Sequence, residues 1–303
     1  MSESLASKYL DSAMLGRLMA QPLLTRLAMQ GTVSGLHRSP HKGSSVEFSQ
    51  YRNYSPGDDL RRLDWRVFAR SDRFYLKEFE AETNLRCHLV LDGSGSMAFA
   101  FKNNPSKFDY ARRLVAAFAY LLVHQGDAAG LTIASHRPPP EIPPKRTPSH
   151  IQLMLESIDK ATAEGETLIT KELHAMADRI RPRAMVVVIS DFFCDLHELV
   201  GAVQHLRFKK HDVVLLQLLD RQEVEFKFDH PVRFQDLESS TSLVTEPQLI
   251  RDEYLRQIGL FQESLRQKAS AMSVDLRTFM TDESMEKAAS GLLLARAQLA
   301  TAG

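Results

Sequence analysis

RCHLVLDGSGSM, residues 86–97, is an apolar run that breaks into Asp-Gly-Ser-Gly-Ser. A short apolar run closed by glycines reads as a buried strand, and the two glycines allow the backbone to turn tightly at its end. Asp92, Ser94 and Ser96 alternate there, so three hard oxygen donors are aimed at one place. Oxygens of this kind suit magnesium, manganese or calcium rather than zinc or copper. In an open parallel sheet, ligands collect just beyond the carboxyl ends of the strands, which is where this loop would lie.

Further strand-type runs follow at residues 129–134, 185–190, 213–219 and 274–279. Between and after them, helical spacing covers residues 107–124, 149–159, 168–180, 196–208, 246–269 and 283–298. Alternation of this sort implies parallel strands joined by crossover helices, and the near-continuous apolar character of the strands implies helices on both faces. The expected fold class is therefore α/β, with a doubly wound, mostly parallel sheet. In the helix at 107–124, Tyr110, Leu114, Phe118 and Leu121 form one stripe that belongs to the core. Residues 224–228 and 232–234, separated by Asp229-His230-Pro231, read as a hairpin. The proline-rich stretch 137–148 reads as a surface excursion.

Ahead of the first strand, residues 4–30 have helical spacing and residues 31–45 are rich in Gly, Ser, Pro and His. Residues 46–83 are dense in aromatic and charged side chains, with turn chemistry at Pro56-Gly57 and alternation in RFYLKEFE. Three parts are expected: a helical segment over 1–34, a small β-rich appendage over 35–84, and the α/β domain over 85–303.

At 303 residues the chain has ample length for a buried core. Hydrophobic residues make up 44% and charged residues 25%, the composition of a globular protein. Its 38 basic side chains balance 38 acidic ones, so charge points to no nucleic-acid partner. The two cysteines, Cys87 and Cys194, lie in or beside apolar runs, which suits buried thiols in a reducing, cytoplasmic setting. The first 30 residues mix charges into their apolar pattern, unlike a signal peptide. The uncharged apolar block at 114–123 falls far short of the ~20 residues that cross a bilayer, so no membrane span is expected.

Two more oxygen donors are expected at the same sheet edge, and Gly165-Glu166-Thr167 and Ser190-Asp191 stand at suitable points. Each piece alone has a plainer reading as a helix cap or turn. As an ordered set, Asp92, Ser94, Ser96, Thr167 and Asp191 resemble the metal-ion-dependent adhesion site of von Willebrand factor type A domains, a Rossmann-like fold. That resemblance implies Ser94, Ser96 and Thr167 near a Mg2+, Mn2+ or Ca2+ ion. It implies Asp92 and Asp191 bound directly or through water, and one position open for a partner's Glu or Asp.

The stretch EFSQYRNYSPGDDLRRLDWRVFARSDRFYLKEFEAETNLRCHLVLDGSGSM resembles the signature of the bacterial domain of unknown function fifty-eight family. In that family an aromatic and Arg/Asp-rich block stands just ahead of a type A domain. The resemblance implies a protein partner, with a MoxR-type AAA+ ATPase as a candidate, and work on the maturation of other complexes. Two departures stand out: Glu166 replaces the usual second glycine before Thr167, and the membrane spans of many relatives are missing. Within the block, Asp58 or Asp59 can cap a helix, while Arg61, Arg62 and Asp64 can pair and Trp65 can pack inward.

Catalytic readings have less in their favour. Ser94 is flanked two places away by Asp92 and Ser96, not by the small residues of a nucleophile elbow. The chain has no Gly-x-x-x-x-Gly-Lys loop, and Gly93-Ser94-Gly95 lacks the third glycine of a dinucleotide fingerprint. Its 11 histidines show no paired zinc spacing. Two alternatives stay open: magnesium-dependent phosphoryl transfer with Asp92 as the attacking carboxylate, and a scaffold that holds no ion.

Overall fold

The computed structural model describes residues 5–18, 23, 37–38, 47–53, 67, 75–80, 82–83, 85–228, 230, 232–235, 237–238 and 242–301. The chain divides into two compact units, one formed by residues 28–85 and the other by residues 1–27 with 86–303. Two short helices open the larger unit, α1 (Leu5–Tyr9) and α2 (Ser12–Leu18). Both dock by side-chain pairs on later elements. The Tyr9 hydroxyl donates to Asp159 Oδ1 at 2.8 Å, and Arg17 pairs with Glu286 at 2.6 Å.

Most of the described residues of the smaller unit lie in four short strands. Strand β1 (His37–Arg38) runs antiparallel to β4 (Glu82–Thr83), and β2 (Glu47–Asn53) runs antiparallel to β3 (Tyr75–Glu80) with an irregularity between Phe48 and Gln50. The readings made for Pro56-Gly57, Asp58, Asp59, Arg61, Arg62, Asp64 and Trp65 lie outside the described residues.

The larger unit continues through β5 (Arg86–Asp92), α3 (Lys107–His124), β6 (Ala128–Ala134), β7 (Ile142–Lys145), α4 (Pro148–Lys160), α5 (Ile169–Arg179) and β8 (Met185–Ser190). It then runs through α6 (Leu196–Phe208), β9 (Asp212–Leu219), α7 (Arg221–Glu225), β10 (Val232–Gln235), β11 (Ser242–Thr245), α8 (Pro247–Ala271), β12 (Asp275–Met280) and α9 (Met285–Thr301). Six strands form one sheet in the order β12-β9-β8-β5-β6-β7, parallel throughout except for β7. The sheet is thus doubly wound and mostly parallel, as the alternating runs imply.

Burial explains the strand composition. Every residue of β6, β8 and β9 is buried, because helices cover both faces. On one face, Ile169, Leu173, Met176, Leu199, Val203 and Leu206 of α5 and α6 pack over Val186, Val188 and Val213. Tyr110, Leu114, Phe118 and Leu121 of α3 are all buried, which confirms the stripe as core.

Two readings need correction. Residues 224–228 form no hairpin strand: Val224 sits in α7, whose start carries a capping box between Asp220 and Glu223. That local polar pairing outweighs the β preference of an isolated valine. The hairpin instead joins β10 to β11, with Val232 opposite Thr245. The proline-rich stretch is likewise more than a surface excursion, since Ile142–Lys145 adds the antiparallel strand β7 to the sheet. Consecutive backbone donors face opposite sides, so one of Pro143 and Pro144 is tolerated because β7 is at the end of the strand order, and the other falls where the pairing with β6 is irregular.

Candidate metal centre

Strand order places the chemistry. From β5 the chain steps outward to β6, whereas from β8 it steps the opposite way to β9, so β5 and β8 flank a topological switch point. Asp92 ends β5, and Asp191 follows the last residue of β8. Both carboxylates are 1% exposed.

The Asp92 oxygens have separate donors. The backbone N–H of Ser94 donates to Oδ1 at 3.0 Å and the Ser190 hydroxyl donates to Oδ2 at 2.5 Å. Burial first, and then the charge of Asp191, push the Asp92 carboxyl up to about 6. The hydrogen bonds from Ser190 and Ser94 oppose that rise without cancelling it. Ser94 and Ser96 present their Oγ atoms 3.1 Å apart. Four of the five expected residues are therefore assembled around the end of β5 and β8.

Thr167 arrives from a separate loop. Gly95 N–H donates to Gly165 O at 2.8 Å and Glu164 N–H donates to Gly93 O at 3.0 Å, tying residues 164–165 along the Asp-Gly-Ser-Gly-Ser turn. Gly165 has φ +77°, a left-handed conformation in which a side chain would be strained. Two residues on, the Thr167 hydroxyl is buried without a hydrogen-bond partner. A buried hydroxyl left in that state costs free energy unless something satisfies it. Glu166, the residue that replaces a glycine beside it, is exposed.

Asp191 is held more tightly than its sequence position suggests. Its Oδ1 accepts the Phe193 N–H at 3.0 Å, and its Oδ2 accepts the Lys107 ammonium at 2.7 Å. Phe192 between them adopts φ +59°, and its ring is fully buried. Packing thus holds a strained turn in place next to the site. Lys107 also pairs with Glu223 at 2.6 Å. Burial draws the Lys107 ammonium down, but Asp191 and Glu223 outweigh it and its net displacement is upward.

Leu237 and Glu238, between β10 and β11, cover the rim. A Cβ added to Gly95 would lie 2.0 Å from Leu237 O, so only glycine fits beneath that backbone. Glu238 Oε2 accepts the Thr167 N–H at 3.4 Å.

Ser190, Lys107, Glu223 and Glu238 are the site residues that sequence reading missed. Lys107 had one signal: it opens the first turn of a helix, where the dipole disfavours a cation. The donor set fits a hard divalent ion, with three hydroxyls, one of them unpartnered, and two mutually repelling carboxylates. Among the described residues, no three His, Cys, Asp or Glu side chains gather as a metal group, so an ion here depends on the hydroxyls. The Cys194 thiol is pushed up to about 12, first by burial and then by Asp92 and Asp191, which leaves it a poor nucleophile.

A family profile described as "Protein of unknown function DUF58" matches residues 50–262. The chain belongs to this family. DUF58 relatives include Uncharacterized protein Rv1480 of Mycobacterium tuberculosis, 27% identical over 282 residues that cover 90% of this chain and 86% of that protein. A shorter match, to Uncharacterized protein YeaD of Bacillus subtilis, is 37% identical over 59 residues, 20% of this chain and 15% of YeaD. Among solved structures, the DUF58 chain is similar to BatB from Bacteroides thetaiotaomicron, at TM-score 0.48 and 18% identity, covering 71% of this chain and 100% of that one. It is also similar to the SpRpn10 VWA domain, at TM-score 0.40 and 12% identity, covering 69% and 94%. Among the described residues, no helix is long and apolar enough to cross a membrane.

Proposed function

We propose that this DUF58 chain is a non-catalytic interaction module that uses a divalent ion to capture an acidic side chain of a partner protein. Asp92, Ser94, Ser96, Thr167 and Asp191 would hold Mg2+, Mn2+ or Ca2+, and the ion would supply the positive charge that a carboxylate seeks. The observation that carries this reading is the buried, unpartnered Thr167 hydroxyl on a loop hydrogen-bonded to the Asp-Gly-Ser-Gly-Ser turn. Hydroxyl ligands leave a cation under-neutralised and therefore receptive to another acid.

A phosphoryl-transfer role for Asp92 has less support. Asp92 is 1% exposed, which leaves a phosphate ester little access to its oxygens. The proposed working partner is a MoxR-type AAA+ ATPase in a bacterial cytoplasm, acting in the maturation of other complexes. This part of the reading rests on the family resemblance.

Pull-down of the partner ATPase with and without chelator tests the proposal. Capture should vanish with chelator and in Asp92→Ala/Ser94→Ala, while circular dichroism of the variant stays native. Equal capture in both conditions rejects the reading. Magnesium-dependent hydrolysis of an aryl phosphate that disappears in Asp92→Asn would reject the non-catalytic part.

A further inference from the structure

We propose that Lys107 is a resident cation of the centre, claiming Asp191 and leaving Asp92 with the hydroxyls to carry the divalent ion. This deepens the proposed metal reading and rests on it. The Lys107 side chain is 1% exposed, and its ammonium lies 2.7 Å from Asp191 Oδ2 and 2.6 Å from Glu223 Oε1. The rings of Phe193 and Phe99, with centroids 4.9 Å and 5.8 Å from Nζ, lie against it as well. Cation–π contact of this kind suits a desolvated ammonium.

The two carboxylates of the rim are consequently unequal. Asp92 accepts only neutral donors, the Ser94 N–H and the Ser190 hydroxyl. Asp191 accepts one neutral donor, the Phe193 N–H, and one full positive charge. A divalent ion approaching Asp191 meets a carboxylate whose charge is already compensated and an ammonium that repels it, and both effects are strong where water is excluded. Near Asp92 no such opponent is in hydrogen-bonding contact. Lys107 therefore weakens the centre's hold on metal and decides which acid bears it.

The test is calorimetric titration of Mn2+ into the full chain and four variants. Lys107→Met should bind Mn2+ about tenfold more tightly than the unaltered chain, since an opposing charge is gone. Should Lys107→Met fail to fold, Lys107→Met/Glu223→Gln removes the second buried carboxylate that the lysine satisfied, and the same tightening is expected. Independently, Asp191→Asn should weaken Mn2+ binding by less than roughly threefold, and Asp92→Asn by more than about tenfold. Unchanged affinity in the folded lysine variant, or equal losses in Asp191→Asn and Asp92→Asn, overturns the inference while the metal reading stands. Absence of Mn2+ binding in every protein, including the unaltered chain, overturns both.

Discussion

The large sheet buries charge at both of its ends, and the two ends are finished differently. At the amino ends of β9 and β12, Arg296 of α9 is 1% exposed and is clamped between Asp212 and Asp275. At the carboxyl ends of β5 and β8, Asp191 shares one ammonium with Glu223, Asp92 has only neutral donors, and the Thr167 hydroxyl has no partner. The first arrangement is closed: it ties the last helix to two strands and asks nothing further of solvent. The second retains uncompensated charge and an unmet donor, which is expensive for the fold and useful only to a ligand.

Acid should break the closed end first and hardest. His88 and His211, near the amino ends of β5 and β9, are 6% and 0% exposed and are each lowered to about 4, chiefly by burial. A depressed imidazole contributes stability that is complete above its unfolded value of 6.5 and is lost as pH falls toward 4. At about 1.4 kcal/mol per unit, each ring is responsible for roughly 3 kcal/mol. Urea midpoints measured from pH 7 to pH 4 should fall steeply, and a flat profile would contradict this burial.

Removing the clamp comes next. Arg296→Met takes the guanidinium away from two buried carboxylates, and urea unfolding should show a loss of about 3–5 kcal/mol. The folded fraction should still take Mn2+ with unaltered affinity. A loss of metal binding in that variant would erase the contrast between the ends.

The open end should respond in the opposite sense. Asp92→Asn keeps an acceptor for the Ser94 N–H and offers a donor to Ser190, while removing a buried charge that Asp191 opposes. Without metal its stability should equal or exceed that of the unaltered chain. With metal at 100 times the unaltered chain's dissociation constant, that chain should gain about 2.7 kcal/mol, and Asp92→Asn, binding more than about tenfold more weakly, less than about 1.4 kcal/mol. Thermal melts with and without Mn2+ read both quantities. The smallest expected effect is Gly95→Ala, where a methyl group meets Leu237 O and the hairpin backbone must move away, for about 1–3 kcal/mol.

Legibility in the sequence follows the same division. Strands β5, β6, β8 and β9 could be read because helices on both faces force a nearly continuous apolar run, whereas β12, half-exposed at the end of the strand order, shows only a broken one, and α3 and α6 span their expected bounds. Strand β7 could not, because two prolines inside four residues argue against any strand whose edge position is unknown. At the site, Asp92, Ser94 and Ser96 were legible as neighbours in one turn. Lys107 and Glu223 were not, since the meeting of Lys107 with Asp191 and Glu223 depends on long-range packing of α3 and α7 that no local pattern records. Glu238 comes from a hairpin whose strands were misassigned, so its approach to Thr167 was out of reach.

The prolines of β7 also bear on how the molecule avoids its own kind. A sheet grows by offering a row of N–H and C=O groups to the next extended chain, and aggregation uses that same row. Pro143 and Pro144 place two consecutive positions without an N–H on the terminal strand next to β6. Because consecutive donors face opposite sides, one of the two blunts the outer rim, and a stray strand arriving there finds a rung of the ladder missing.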